Sequence, residues 1–242
     1  MEHRIKFGIR CSFNFLEDFE SRFRNITEPI ELALPHRMDE YMKIRAHLDE
    51  LANKIKDRGI KVLSVHAPQG HITDSFFLTW GYEAGRFADT VGAENVTVHP
   101  NSVARDTSRQ TAQEIALRYL RMVQRRCKAR IAIKTFEGNR RVFRPQDIIQ
   151  LKLPMVLDVA HLFFHEEVLK IIHNYHQNIS MVHLSARSDN KSHLPIDDFC
   201  IEVVNLLISY GWEGSVILEY LPCYHYKLKE DCQFLREWFQ NL

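Results

Sequence analysis

Five residues able to bind a metal or carry a proton each stand directly after a short apolar run: His66, His99, Asp158, His183 and Glu219. Val65, Val98, Leu157, Val182 and Leu218 precede them, so all five end a β-strand candidate. A lone histidine in such a place is most often a hydrogen-bonded or packing residue. Five at the same topological position point instead to one shared metal-type site. Imidazole with carboxylate suits Zn, Mn, Fe or Co better than Mg or Ca. His161 and His193 follow two of these runs closely enough to join the same mouth. His3, His36, His47, His71, His173, His176 and His225 fall outside the pattern and read as surface or packing residues. His165 lies close to the rim and is left open between the two readings.

The elements that must position these residues repeat a single theme. Strand candidates occupy 4–10, 29–35, 61–68, 95–100, 130–136, 155–161, 179–185 and 215–220. Helical stretches at 39–58, 75–92, 107–128, 165–177, 197–210 and 227–240 alternate with them. Their apolar residues recur three or four apart, as in Leu117, Leu120 and Val123. Gly59, Gly92 and Gly211 stand where helices should stop. The segments after the first and fifth strands are short and poorly patterned. Eight strands alternating with helices give an α/β fold with right-handed crossovers. In about 250 residues, a single closed (β/α)8 TIM barrel with outer helices fits best. The reading is one domain over residues 1–242, with its site at the C-terminal face of the strands.

Composition narrows the function classes. The chain has 242 residues, 32 Lys+Arg against 31 Asp+Glu, and 45% hydrophobic residues, which excludes a disordered chain. No apolar run approaches the roughly 20 residues of a membrane span. The opening MEHRIKFGIRCSF has no signal-peptide stretch. Five cysteines without a CxxC suggest a reducing, cytoplasmic setting. The near-neutral charge gives no global nucleic-acid signal. Neither a GxGxxG nor a GxxxxGK[ST] is present, which removes support for nucleotide-binding versions of the fold.

The strings SVHAP, TVHP, LDVAHLF, VHLS, HLPI and ILE, in this order, resemble the xylose isomerase-like barrel superfamily. Its members include sugar and sugar-phosphate isomerases and epimerases, and family-2 AP endonucleases such as endonuclease IV. The resemblance runs from the first strand to Glu219 and does not select a branch. In the isomerase branch it implies one divalent metal, Zn or Mn, held after strands five to eight. Asp158, His183 and Glu219 match the last three ligands. In the endonuclease branch His66 and His99 would hold a further zinc, and His161 and His193 would help hold a third.

Two departures stand out. The ligand after strand five should be a glutamate, and Lys134 occupies its place, with Glu137 three residues on. Alternation lets one register turn Ile131, Ile133, Thr135 and Glu137 inward and the other Ala132, Lys134 and Phe136. The first would put Lys134 at the rim and make Glu137 a substitute ligand, and it is slightly preferred. The second would place an ammonium where it repels a divalent ion or replaces part of its charge. After strand seven, Lys191 stands where the endonuclease pattern has an aspartate, which counts against an intact three-metal nuclease.

The basic cluster Arg121, Arg125, Arg126, Lys128 and Arg130 falls at the bottom of the barrel, away from the site. Arg140, Arg141 and Arg144 after strand five, and Arg187 after strand seven, fall at the top, where a guanidinium fork suits a substrate anion. The leading expectation is a metal-dependent sugar or sugar-phosphate isomerase/epimerase. Glu219 would move the proton next to a metal-chelated carbonyl, with Glu137 or Lys134 opposite and His66, His99, His161 and His193 serving substrate. A phosphodiesterase acting on abasic DNA is the first alternative. A degenerate barrel that binds a small ligand is the second.

Overall fold

The computed structural model describes residues 5–12, 26–138, 140–162 and 164–240. The parallel strands β1 (Lys6–Ser12), β2 (Ile30–Ala33), β3 (Val62–His66) and β4 (Asn95–Val98) run in chain order around one half of a closed barrel. β5 (Arg130–Lys134), β6 (Met155–Asp158) and β7 (Ile179–Leu184) continue it. After the short strands β8 (Ala186–Ser188) and β9 (Lys191–Leu194), β10 (Ser215–Leu218) pairs with both β7 and β1 to close the ring. This is the (β/α)8 barrel expected from the alternation. His3 and residues 13–25, the poorly patterned segment after the first strand, lie outside the described residues.

The outer layer consists of α1 (Met38–Ile44), α2 (Leu48–Asp57), α3 (Phe77–Val91) and α4 (Arg109–Gln124), then α5 (Pro145–Gln150), α6 (His165–Tyr175), α7 (Asp198–Ser209) and α8 (Leu228–Gln240). The single helix expected over 39–58 is two, parted by a 3-10 turn at Arg45–His47. Ser108 caps α4 by accepting the Thr111 N–H at 3.0 Å, and Asp197 caps α7 by accepting that of Cys200 at 3.0 Å. Gly92 ends α3 at φ 74°, a conformation that costs a side-chain-bearing residue more. The hairpin of β8 and β9 was not legible in the sequence. It leaves the end of β7 and folds back over the mouth, bringing His193 to the rim at φ 59°. Among the described residues, no helix is long and apolar enough to cross a membrane.

Inside the barrel, Leu63, Ala132, Val156, Met181 and Ile217 form an apolar floor separate from the larger core between sheet and helices. The two-residue period of a strand then sets what lies above it. Two positions on from Ala132, Val156, Met181 and Ile217 come Lys134, Asp158, His183 and Glu219. A register shift between Ile30 and Glu31 lets Leu63 join the floor while Ser64 still reaches Glu31. Gly8 completes the floor. A Cβ there would lie 2.7 Å from the Pro29 carbonyl oxygen and 3.0 Å from Leu63 Cδ1. Gly8→Ala should therefore lower unfolding free energy by about 1–3 kcal/mol through overpacking against backbone. Urea denaturation of the variant measures this, and wild-type stability would contradict it.

Candidate functional site

Directly above the floor lies a closed set of ion pairs. Lys134 Nζ is ion-paired with Asp158 Oδ2 at 2.6 Å and donates to Glu219 Oε2 at 2.8 Å. His183 lies between two carboxylates, with Nε2 3.1 Å from Glu31 Oε2 and Nδ1 2.7 Å from Glu219 Oε2. Arg10 pairs with Glu219 through Oε1. Ser64 and Thr97 donate their hydroxyls to Glu31 Oε1 at 2.6 and 3.0 Å. Asp158 is set by neighbours on both sides: its N–H donates to Thr135 Oγ1 at 2.9 Å, and Oδ1 accepts the His161 N–H at 3.1 Å. Lys134, Asp158, His183 and Glu31 are essentially removed from solvent.

Three carboxylates face three cations, so the cluster is internally neutral. Burial alone would raise each acid and lower the histidine, but the pairing reverses both effects. Glu31 is held at about 2 against its burial by His183 and then Arg10. Asp158 and Glu219 lie well below the usual carboxylate range, despite burial, because of Lys134 for the first and Arg10 with Lys134 for the second. His183 is raised to about 10: burial opposes its charge, and Glu31 outweighs burial with help from Glu219 and Asp158.

A ring of aromatic side chains surrounds the mouth. His36 stacks on His66 with centroids 5.3 Å apart, and His66 meets His99 edge-on at 4.8 Å. Phe136 carries the ring onward, 5.0 Å from His99 and 4.0 Å from His161, and His161 meets His193 at 4.7 Å. His66 Nδ1 faces the Ala67 carbonyl at 3.0 Å and so carries the proton, leaving Nε2 3.0 Å from His99 Nε2. Burial and the nearby Arg10 and Lys134 cations keep His66 and His99 neutral. Burial and Arg10 lower His36 to about 4, consistent with its Nε2 accepting from Arg10 at 2.6 Å. Beside the ring a cleft of about 260 Å³ is lined by Arg10, His36, His193, Glu219, Tyr220 and His225.

Among the described residues, two groups could offer metal ligands within 4.8 Å of one another: Asp158, His183 and Glu219 inside, and Asp158, His161 and His193 nearer the rim. The inner group does not fit a divalent ion as it stands. The two oxygens such an ion would use are already ion-paired with the Lys134 ammonium. Both nitrogens of His183 face carboxylates, so both carry protons and neither keeps a lone pair. The rim group shares Asp158 Oδ2, which lies 2.7 Å from His161 Nδ1, so its donors apart from the Lys134 ion pair are the imidazoles of His161 and His193, a ligand type that suits zinc.

β5 adopts the second of the two registers open to it. Ala132 joins the floor, Lys134 enters the ion-pair layer and Phe136 enters the ring, because alternation continues unbroken past the end of the strand. Lys134 is thus inside the barrel and not at its rim. Glu137, on the opposite parity, belongs to neither ligand group and does not replace the missing glutamate. Of the arginines, Arg141 places its guanidinium 4.8 Å over the Phe136 ring, at the mouth. Arg140 is exposed and gives its carbonyl to the Val103 N–H. Arg144 begins α5, its N–H on Asp147, and Arg187 donates to the Ala160 carbonyl at 3.3 Å. His165 stacks on Phe199 at 3.6 Å, away from the cluster.

Three site residues escaped the sequence reading. Arg10 ends the first strand candidate, 4–10, and stands within β1, a signal overlooked because it is basic. Glu31 interrupts the apolar string IELAL, and a lone carboxylate within such a run is itself a signal. His36, read as a surface or packing residue, instead accepts from Arg10 and stacks on His66.

The His183–Glu31 pair predicts a pH dependence. The histidine's folded value exceeds its ordinary 6.5, so its contribution to stability is full below 6.5 and is lost as pH rises through about 10. Glu31 contributes above its ordinary 4.5 and loses that contribution as pH falls through about 2. Imidazole ¹⁵N NMR at pH 7.5 should show His183 doubly protonated. Glu31→Gln should return it towards neutrality and cost about 3–5 kcal/mol, as loss of a buried partner does. A neutral His183 tautomer in the wild type at that pH would contradict this.

No protein-family model matches the sequence. No curated protein matches it either. Solved structures do match, over nearly the whole chain. A D-tagatose 3-epimerase-like protein superposes with a TM-score of 0.72 at 15% identity, covering 97% of each chain. The 3-keto-D-glucoside 4-epimerase from E. coli gives 0.71 at 17%, over 96% of this chain and 99% of its own. Endonuclease IV from Thermus thermophilus gives 0.65 at 15%, over 98% and 100%. Identities this low establish the fold alone. It is the fold shared by sugar epimerases, xylose isomerase domain proteins and endonuclease IV.

Proposed function

We propose that this chain is a sugar or sugar-phosphate isomerase/epimerase-type enzyme that moves a proton at a carbon beside a carbonyl. The observation that carries this reading is Glu219, the cluster carboxylate that also lines the open cleft. Arg10, Lys134 and His183 fix both of its oxygens, which orients it but makes it a weak base at rest. A substrate oxygen in the cleft that accepts from Arg10 draws positive charge off Glu219. The carboxylate then gains proton affinity as negative charge develops on the substrate, which is stabilisation realised at the transition state. Arg141, whose guanidinium lies over the Phe136 ring at the mouth, would take a phosphate.

A divalent ion, with zinc favoured by the imidazoles, would be held at the rim by His161 and His193, with Asp158 shared between it and Lys134. When bound it would supply Lewis-acid polarisation of a substrate oxygen. Hydrolysis of abasic DNA is the second reading, favoured by the facing Nε2 atoms of His66 and His99. Abasic-duplex affinity that falls steeply with salt would select it.

Incubation with ketoses, aldoses and their phosphates in D2O tests the first reading. NMR should show deuterium entering at the carbon next to the carbonyl, and Glu219→Gln should slow this by about 10²–10⁴-fold. Arg141→Ala should weaken phosphorylated substrates more than unphosphorylated ones. Exchange that persists in Glu219→Gln would contradict the assignment of the base.

A further inference from the structure

We propose that Lys134 is the permanent cation of the inner site, standing in for a divalent ion, so that Asp158, His183 and Glu219 do not together hold a metal in the working protein. Charge gives the first argument. Exchanging a carboxylate for an ammonium changes the local charge by two units, which is what a divalent ion would supply. With Lys134 in place, Glu31, Asp158 and Glu219 are balanced by Arg10, Lys134 and His183. An added ion would bring two positive charges into a cluster that has none to neutralise.

Geometry gives the second. Nζ takes one oxygen from each of two carboxylates, Asp158 Oδ2 at 2.6 Å and Glu219 Oε2 at 2.8 Å, and these are the oxygens that converge with His183 Nδ1. A zinc bound to them at about 2.0–2.2 Å would share both oxygens with the ammonium. Lys134 has no solvent to retreat into, being 1% exposed, with Phe136 above it at 5.6 Å from Nζ and the floor beneath. His183 is committed as well, since each of its nitrogens serves a carboxylate.

The replacement changes what the site can recognise. A metal ion accepts two neighbouring substrate oxygens as a chelate. An ammonium cannot, and Lys134, buried and turned to Asp158 and Glu219, does not line the cleft, so a substrate oxygen there meets Arg10 as a hydrogen-bond donor in place of a chelating ion. The cation is also covalently attached, and a chelator has nothing to remove.

Counting metal after loading with Mn²⁺ or Zn²⁺ and desalting tests this independently of any catalytic activity. Wild-type protein should retain the same number of ions as Glu219→Gln, whatever the rim imidazoles hold. Lys134→Glu, which restores the carboxylate, should retain one ion more than wild type and lose it again in Lys134→Glu/Glu219→Gln. A wild-type ion that Glu219→Gln removes would overturn the proposal, and so would a folded Lys134→Glu variant that gains none. Should Lys134→Glu fail to fold, the comparison of wild type with Glu219→Gln decides alone.

Discussion

The ammonium of Lys134, ion-paired with Asp158 and Glu219 above the barrel floor, is the contact on which the rest of the site depends. Removing an ammonium and two carboxylates from water costs several kcal/mol per ion unless each is paired and hydrogen-bonded. The surroundings supply that pairing. Arg10 takes the second oxygen of Glu219, His161 meets Asp158, and His183 joins Glu219 to Glu31, which Ser64 and Thr97 secure in turn. Each member is partner to at least one other. Loss of any one leaves a buried charge uncompensated.

The fold makes this network possible through strand alternation. Each of four neighbouring strands contributes one apolar residue to the floor and, two positions later, one ionised residue to the layer above. The floor excludes water from below, which strengthens every interaction over it. Further out, the same alternation delivers His66, His99 and Phe136 to the rim. The apolar floor, the charged layer and the imidazole ring are thus three successive levels of one barrel interior. Chemistry is confined to the upper two.

Much of this was legible in the sequence because the strands are short and each ends on its functional residue. Asp158, His183 and Glu219 needed no structure to be grouped, and neither did His66 and His99. What remained hidden was register and pairing. Lys134 and Glu137 differ in parity, so the sequence left two inward faces open for β5, and only the unbroken alternation through Phe136 separates them. Glu31 was missed because an acid inside a strand looks like a solvent-facing residue until its barrel face is known. The β8–β9 hairpin carries no clear alternation, so its path was hidden, although the place of His193 soon after the seventh strand already put it near the mouth. Arg10 and His36 acquire meaning from Glu219 and His66, which lie far away in sequence.

The central claim is that an amino-acid side chain, and not an ion, neutralises the inner carboxylates. Anomalous diffraction from crystals soaked in Zn²⁺, collected on both sides of the zinc edge, examines it most directly. The account predicts no anomalous peak among Asp158, His183 and Glu219, with density for Lys134 Nζ joining the two carboxylates. A peak bonded to all three at about 2.0–2.2 Å, with Lys134 turned away, would contradict it.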